Sequence, residues 1–129
     1  MTASTPSLLF AAASAPVVPV AGENRGYPVN RIFCVGRNYA EHAKEMGFAV
    51  DREAPWYFLK SATAIVQSGA TIAYPPETKN FHYEMELVVA IGKPAFRVSI
   101  DKALDAVYGY ATGLDMTRRD QQMASREKS

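Results

Sequence analysis

From Phe81 to Ile91 the chain reads Phe-His-Tyr-Glu-Met-Glu-Leu-Val-Val-Ala-Ile, and this pattern predicts a β-strand. Side chains two apart on a strand share a face. Glu84 and Glu86 therefore point one way, and Tyr83, Met85, Leu87, Val89 and Ile91 the other, which predicts a core face. A second strand is predicted from Tyr108 to Met116. Its alternation groups Gly109, Ala111, Gly113 and Asp115, three small residues leading to one carboxylate. Shorter apolar runs at Arg31–Val35, Trp56–Lys60, Ala64–Val66 and Thr71–Tyr74 predict further strands, with Gly69 at a turn and Pro75-Pro76 stopping the last. Gly36-Arg37 predicts a turn, and Asn38 with Glu41 three residues later has the capping-box pattern. The helix it opens is expected from Tyr39 to Met46, with Gly47 as its C-terminal stop. Ser99 is expected to cap a short helix through Val107. Residues 1–28 read as an extended Pro- and Ala-rich arm, and residues 29–129 as the remaining domain. Many short strands with two or three short helices predict a β-rich α+β fold.

At 129 residues there is one domain's worth of chain, long enough to build a real core. A net charge of +1, without a Lys/Arg block or stripe, argues against nucleic acid as a partner. The single Cys34 excludes an internal disulfide and a cysteine zinc cage; it lies in an apolar run and is expected to be buried and inert. A reducing cytoplasm fits this usage. Ser7–Ala21 is apolar but lacks a basic leader and is broken by Pro16 and Pro19, and no segment has the length and apolarity to span a membrane. After Asp115 the pattern reads as the first turns of a helix that stops, as in a piece of a longer chain.

Two carboxylates side by side on an apolar strand repel each other and resist desolvation. A divalent cation removes both problems, and oxygen-only ligands select Mg²⁺, Mn²⁺ or Ca²⁺. The alternative is a solvated face that carries two acids. Asp115, beside its small neighbours, reads either as a pocket carboxylate or as a surface residue at a strand end. His42 and Glu45, three apart on the predicted helix, share a face; the carboxylate can orient the imidazole to activate water, or both can simply be solvated. Three carboxylates and one divalent ion leave a net negative charge, so an anionic substrate needs cations, for which Arg37, Lys60, Arg118 and Arg119 are the candidates. His82 shares the face of Glu84, either lining the pocket or sitting at its rim. The single glycine after Cys34-Val35 is too little for a dinucleotide turn.

Taken together, Arg31-Ile-Phe-Cys-Val-Gly-Arg-Asn-Tyr-Ala-Glu-His42-Ala-Lys-Glu45-Met-Gly, Phe58-Leu-Lys60, Tyr83-Glu84-Met-Glu86-Leu-Val-Val-Ala-Ile-Gly and Tyr108-Gly-Tyr-Ala-Thr-Gly-Leu-Asp115-Met-Thr-Arg-Arg-Asp resemble the fumarylacetoacetate hydrolase family over residues 28–123, in the family's order. Within it, the likeness is greatest to bacterial enzymes that cleave fumarylpyruvate. The resemblance implies a β-roll of mixed sheets with short helices, of which this chain holds the N-terminal part, and a homodimer. It implies Mg²⁺ or Mn²⁺ on Glu84, Glu86 and Asp115, and a water-activating dyad of His42 and Glu45. It places Arg119 and Gln122 toward the acid end of a 2-oxo acid substrate, for which Arg37 and Lys60 stand as the further candidate cations. The implied reaction is hydrolysis of a carbon–carbon bond in an acylpyruvate such as fumarylpyruvate, in aromatic-compound degradation. Decarboxylation, hydration or tautomerisation of a 2-oxo acid on the same metal is an alternative, as is a fragment impaired or inactivated by truncation. Ser61 stands where the family commonly has Pro, and Gln121 replaces a common Leu. The family's remaining strands, and a further lysine near the metal, have no counterpart in these 129 residues.

Overall fold

The computed structural model of the protein describes residues 7–36, 38, 39 and 55–128. The expected helix over 39–46 lies outside them, Tyr39 excepted, as do the cation Arg37 and the pair His42 and Glu45. The chain divides into two compact units, Met1–Ala70 and Thr71–Ser129.

In the first unit, β1 (Val17–Pro19) and β2 (Gly26–Pro28) pair antiparallel with Val18 opposite Tyr27. The chain reverses through Gly22, whose φ of +77° suits glycine, and the Glu23 N–H donates to the Val20 carbonyl at 3.1 Å. The arm expected to be extended through residue 28 therefore ends in a hairpin. Its strands are too short to show alternation, and a proline closing each one removes a ladder donor. β3 (Ile32–Gly36) pairs antiparallel with β4 (Trp56–Lys60), both as expected to within a residue, with Cys34 opposite Phe58 and Gly36 opposite Trp56. A Cβ on Gly36 would lie 2.0 Å from the Trp56 ring, so the missing side chain is what lets the indole lie there. Cys34 is half-exposed rather than buried, since among the described residues its sheet has only two strands, too few to enclose a side chain.

The strand expected at 64–66 does not form. Ser61 instead caps a 3₁₀ turn, Ala62–Ala64, accepting a hydrogen bond from the Thr63 N–H at 3.3 Å. A serine hydroxyl offers the backbone a local partner that competes with strand pairing.

The second unit is built on one long antiparallel pair, β5 (Phe81–Ile91) and β6 (Val107–Arg118). The register runs unbroken from Phe81 opposite Arg118 to Ala90 opposite Gly109, then shifts by a bulge that sets Ile91 opposite Val107. A single turn of helix, α1 (Ile100–Ala103), and a 3₁₀ turn, Leu104–Ala106, lead into β6. Ser99 stands at the N-terminal cap of α1 as expected, without a side-chain capping bond. The Gly92 N–H closes this corner on the Ala106 carbonyl at 2.8 Å, and Ala106 is the buried apolar side chain among the described residues. Helix α2 (Arg119–Arg126) leaves β6 directly. Thr71–Tyr74 is not a strand. Tyr74 works through its side chain, its hydroxyl accepting from the Phe81 N–H at 3.2 Å and its ring meeting Phe81 edge-on.

The described residues are rich in strands, with short helices, as the patterning predicts. The expected core face fails as well. The face of Tyr83, Met85, Leu87, Val89 and Ile91 is not a core, since Tyr83 is 75% and Leu87 62% exposed. Periodicity shows which side of a strand is apolar, but burial needs a second layer to cover it. No helix among the described residues is long and apolar enough to cross a membrane.

Candidate active site

The antiparallel register carries the site. Glu84 lies opposite Asp115, and Glu86 lies opposite Gly113. Directly opposed residues share a face, so all three carboxylates stand on one side of the β5–β6 pair. That side is the better covered one: Glu84, Glu86, Gly113 and Asp115 are half-buried, while their apolar neighbours on β5 are exposed. A Cβ on Gly109 would meet open space, whereas one on Gly113 would press on Val88 at 2.9 Å. The clearance expected along this face is thus real at Gly109 and filled beside Gly113.

The first residue of α2 closes over the acids. The Arg119 guanidinium donates from Nη2 to Glu84 Oε1 in an ion pair whose side chains are 11% and 18% exposed, and from Nη1 to Gln122 Oε1 at 2.6 Å. The structure therefore gathers Glu84, Arg119 and Gln122, three of the residues expected in the site. His82, opposite Thr117, is exposed at the edge of the group, and Arg118, opposite Phe81, is exposed too. Lys60 ends β4 in the other compact unit and is half-buried there.

The donor set fits a hard divalent ion in kind: three half-buried carboxylates on one sheet face, with Asp115 Oδ1 a buried oxygen that accepts no hydrogen bond among the described residues, although Asp115 is otherwise engaged. Among the described residues, however, no three His, Cys, Asp or Glu side chains are drawn together as ion ligands. Arg119 supplies the positive charge that Glu84 holds instead.

Two residues that sequence reasoning passed over organise this corner. Asp120 accepts from the Thr78 hydroxyl at 2.5 Å, from the Lys79 N–H at 2.8 Å and from the Gln121 N–H at 3.0 Å. The Thr78 bond foremost, then that of Lys79, holds the Asp120 carboxyl below the usual carboxylate range against the opposing effect of burial. Thr78 is 9% exposed, the buried polar residue among those described, and its oxygen also accepts from the Asn80 N–H at 3.2 Å. The available signal was an acid in the first turn of a helix, which favours its N-terminus; the partner, 42 positions earlier in a loop, carries no periodic mark.

A family model described as "Fumarylacetoacetate (FAA) hydrolase C-terminal" matches residues 31–129. A fumarylpyruvate hydrolase from a Ralstonia species is 62% identical over 85 residues, covering 64% of this chain and 44% of the relative. A mitochondrial oxaloacetate tautomerase from Bos taurus is 47% identical over 97 residues, covering 75% of this chain and 43% of the relative. The crystal structure of fumarylpyruvate hydrolase from Pseudomonas aeruginosa in complex with Mn²⁺ and pyruvate is similar with a TM-score of 0.86 at 49% identity, over 95% of this chain and 54% of that one. The chain thus spans about half the length of the relatives it matches.

Proposed function

This chain belongs to the fumarylacetoacetate hydrolase family, and we propose that it carries the acid-and-arginine half of a metal-dependent site that hydrolyses the carbon–carbon bond of an acylpyruvate such as fumarylpyruvate. The observation that carries the proposal is the register placing Glu84 against Asp115, with Glu86 on the same half-buried face and Arg119 closed on Glu84. Glu84, Glu86 and Asp115 would hold Mg²⁺ or Mn²⁺; a relative of known structure holds Mn²⁺ together with pyruvate. When bound, such an ion supplies Lewis-acid stabilisation of negative charge on the substrate's oxygens.

The chain's own residues do the rest. Arg119 and Gln122, already hydrogen-bonded to each other, present donors to the carboxylate of the 2-oxo acid end, with Arg37 and Lys60 as further cations. His42, held in orientation by Glu45, takes a proton from water. The hydroxide equivalent attacks the carbonyl distal to the carboxylate, and the bond between that carbonyl carbon and the adjacent methylene breaks. The electron pair leaves with the methylene carbon as the enolate of pyruvate, which takes back a proton. The products are the carboxylic acid of the acyl part and pyruvate, the water being divided between them. A homodimer working in the cytoplasm completes the proposal.

A second reading, tautomerisation of oxaloacetate on the same acids, is favoured by the similarity to the bovine enzyme. One experiment separates the two. The protein, loaded with Mn²⁺, is given fumarylpyruvate or oxaloacetate. Ultraviolet absorbance follows substrate loss, and a lactate dehydrogenase couple follows pyruvate. Pyruvate released with fumarate supports hydrolysis, and an absorbance change on oxaloacetate without pyruvate supports tautomerisation. Failure of Mn²⁺ to bind in an electron paramagnetic resonance titration would remove the metal site and with it both readings.

A further inference from the structure

The loop before β5 and the start of α2 are joined by more hydrogen bonds than a helix start needs. Asp120 holds the Thr78 hydroxyl and the Lys79 N–H, the Arg119 N–H donates to the Asn80 carbonyl at 2.8 Å, and the Gln121 side chain donates to the Glu77 carbonyl at 2.7 Å. Glu77 itself adopts φ +59°, a left-handed conformation unusual for a residue with a side chain, and it turns the loop back onto the helix. The residue trapped in the middle of these bonds is Arg119, whose guanidinium reaches Glu84.

We infer that Thr78 and Asp120 form a clamp that positions Arg119 over the carboxylate face, so that Asp120 acts on the substrate's acid end through Arg119 rather than by touching it. This rests on the reading of Arg119 as a substrate contact. An arginine side chain has many rotamers, and its aim depends on how firmly its backbone is anchored. The ladder of β6 ends at Arg118, so beyond that point the ladder does not set the direction of the chain. The clamp does. Asp120 accepts side-chain and backbone donors from the loop, one residue after Arg119, and the Asn80 carbonyl holds the Arg119 N–H itself. Thr78 suits the role because its one oxygen both donates to Asp120 and accepts from the Asn80 N–H while nearly buried. Valine has the same shape and can do neither. Asparagine at 120 turns one acceptor into a donor, which must then face the Thr78 hydroxyl or the Lys79 N–H.

The test compares Thr78→Ser, Thr78→Val and Asp120→Asn with the parent chain. The first readout is the Nε–H resonance of Arg119 in ¹⁵N-edited NMR, assigned by its absence from Arg119→Lys. In the parent and in Thr78→Ser it should be distinct and slow to exchange with water. In Thr78→Val and Asp120→Asn it should collapse into the envelope of solvated arginines, while the β5 and β6 amides keep their positions. The second readout is pyruvate affinity of the Mn²⁺-loaded protein, expected to fall about 10-fold in Asp120→Asn, the worth of one charge-assisted hydrogen bond, while Mn²⁺ affinity rises, because a released Arg119 no longer occupies Glu84. If Thr78→Val does not fold, Asp120→Asn and Thr78→Ser carry the comparison. An Arg119 resonance unchanged in Asp120→Asn, even with a lower melting temperature, overturns the clamp and leaves only a structural contact. A parent chain that binds neither Mn²⁺ nor pyruvate overturns the functional reading, while the NMR comparison still decides the clamp.

Discussion

Replacing Arg119 by glutamine should make the protein less stable and, at the same time, a better ligand for a divalent cation. The Arg119–Glu84 pair is mostly out of water, with 11% and 18% of the two side chains exposed. Two unit charges about 4 Å apart at an effective dielectric of about 20 attract by roughly 4 kcal/mol, before the hydration both groups regain on separation is subtracted. The net worth of a charge-assisted hydrogen bond is smaller, about 1.5–3 kcal/mol. A cation binding at Glu84 must first displace the guanidinium and then sit near its charge. Glutamine removes both obstacles, so Mn²⁺ affinity should rise about 10- to 100-fold, the equivalent of that energy. Without the cation the variant keeps a half-buried Glu84 opposite Asp115 with no counter-charge from residue 119. It should lose about 2 kcal/mol of stability, less than for a fully buried pair, and melt roughly 8 °C lower. The assay is a titration of free Mn²⁺ by electron paramagnetic resonance, beside calorimetric melting with and without the ion. Saturating Mn²⁺ should recover much of the lost melting temperature. Unchanged or weaker Mn²⁺ binding in Arg119→Gln would refute the idea that Arg119 holds the place of a cation at these acids.

Other outcomes follow from the same structure. His42→Ala should lower turnover of fumarylpyruvate by about 10²- to 10⁴-fold with little change in Mn²⁺ affinity; full turnover in the variant would place the base elsewhere. Leu87→Lys, on the open face of β5, should change stability by no more than about 0.5 kcal/mol, the usual range for a surface site, and should raise solubility. A loss of several kcal/mol on chemical denaturation would show that the face is covered in solution. The lowered folded-state pKa of Asp120 means that its contribution to stability is fully present above the unfolded value of 3.8 and is lost as pH falls through the lower folded value. Asp120→Asn should therefore flatten the acid limb of the stability curve below that pH, with Glu77 and Lys79 on the facing loop and Arg119 beside it unchanged. An acid limb identical to that of the parent chain would contradict the assignment.

Sequence alone determined the features that repeat. The period of two between Phe81 and Ile91 defines β5 and forces Glu84 and Glu86 to one side, because strand geometry leaves no other choice. The small residues between Tyr108 and Asp115 mark the facing strand in the same way, and helix α2 begins close to where the apolar alternation ends. Tertiary structure decided what lies between such segments. No local pattern states that Glu84 stands opposite Asp115, since register is a relation between strands and is set by their pairing and the bulge at Ala90–Ile91. Nor does one reveal that the apolar side of β5 is exposed and its acidic side half-covered, because burial depends on which layer arrives from elsewhere. The expected strand at 64–66 yielded to a 3₁₀ turn capped by the Ser61 hydroxyl, a local partner that no alternation marks, and 71–74 pairs with no strand among the described residues. Thr78 and Asp120 meet across 42 positions, and a hydrogen bond between two short polar side chains leaves no periodic trace in the chain; only folding brings them together, and with them the aim of Arg119.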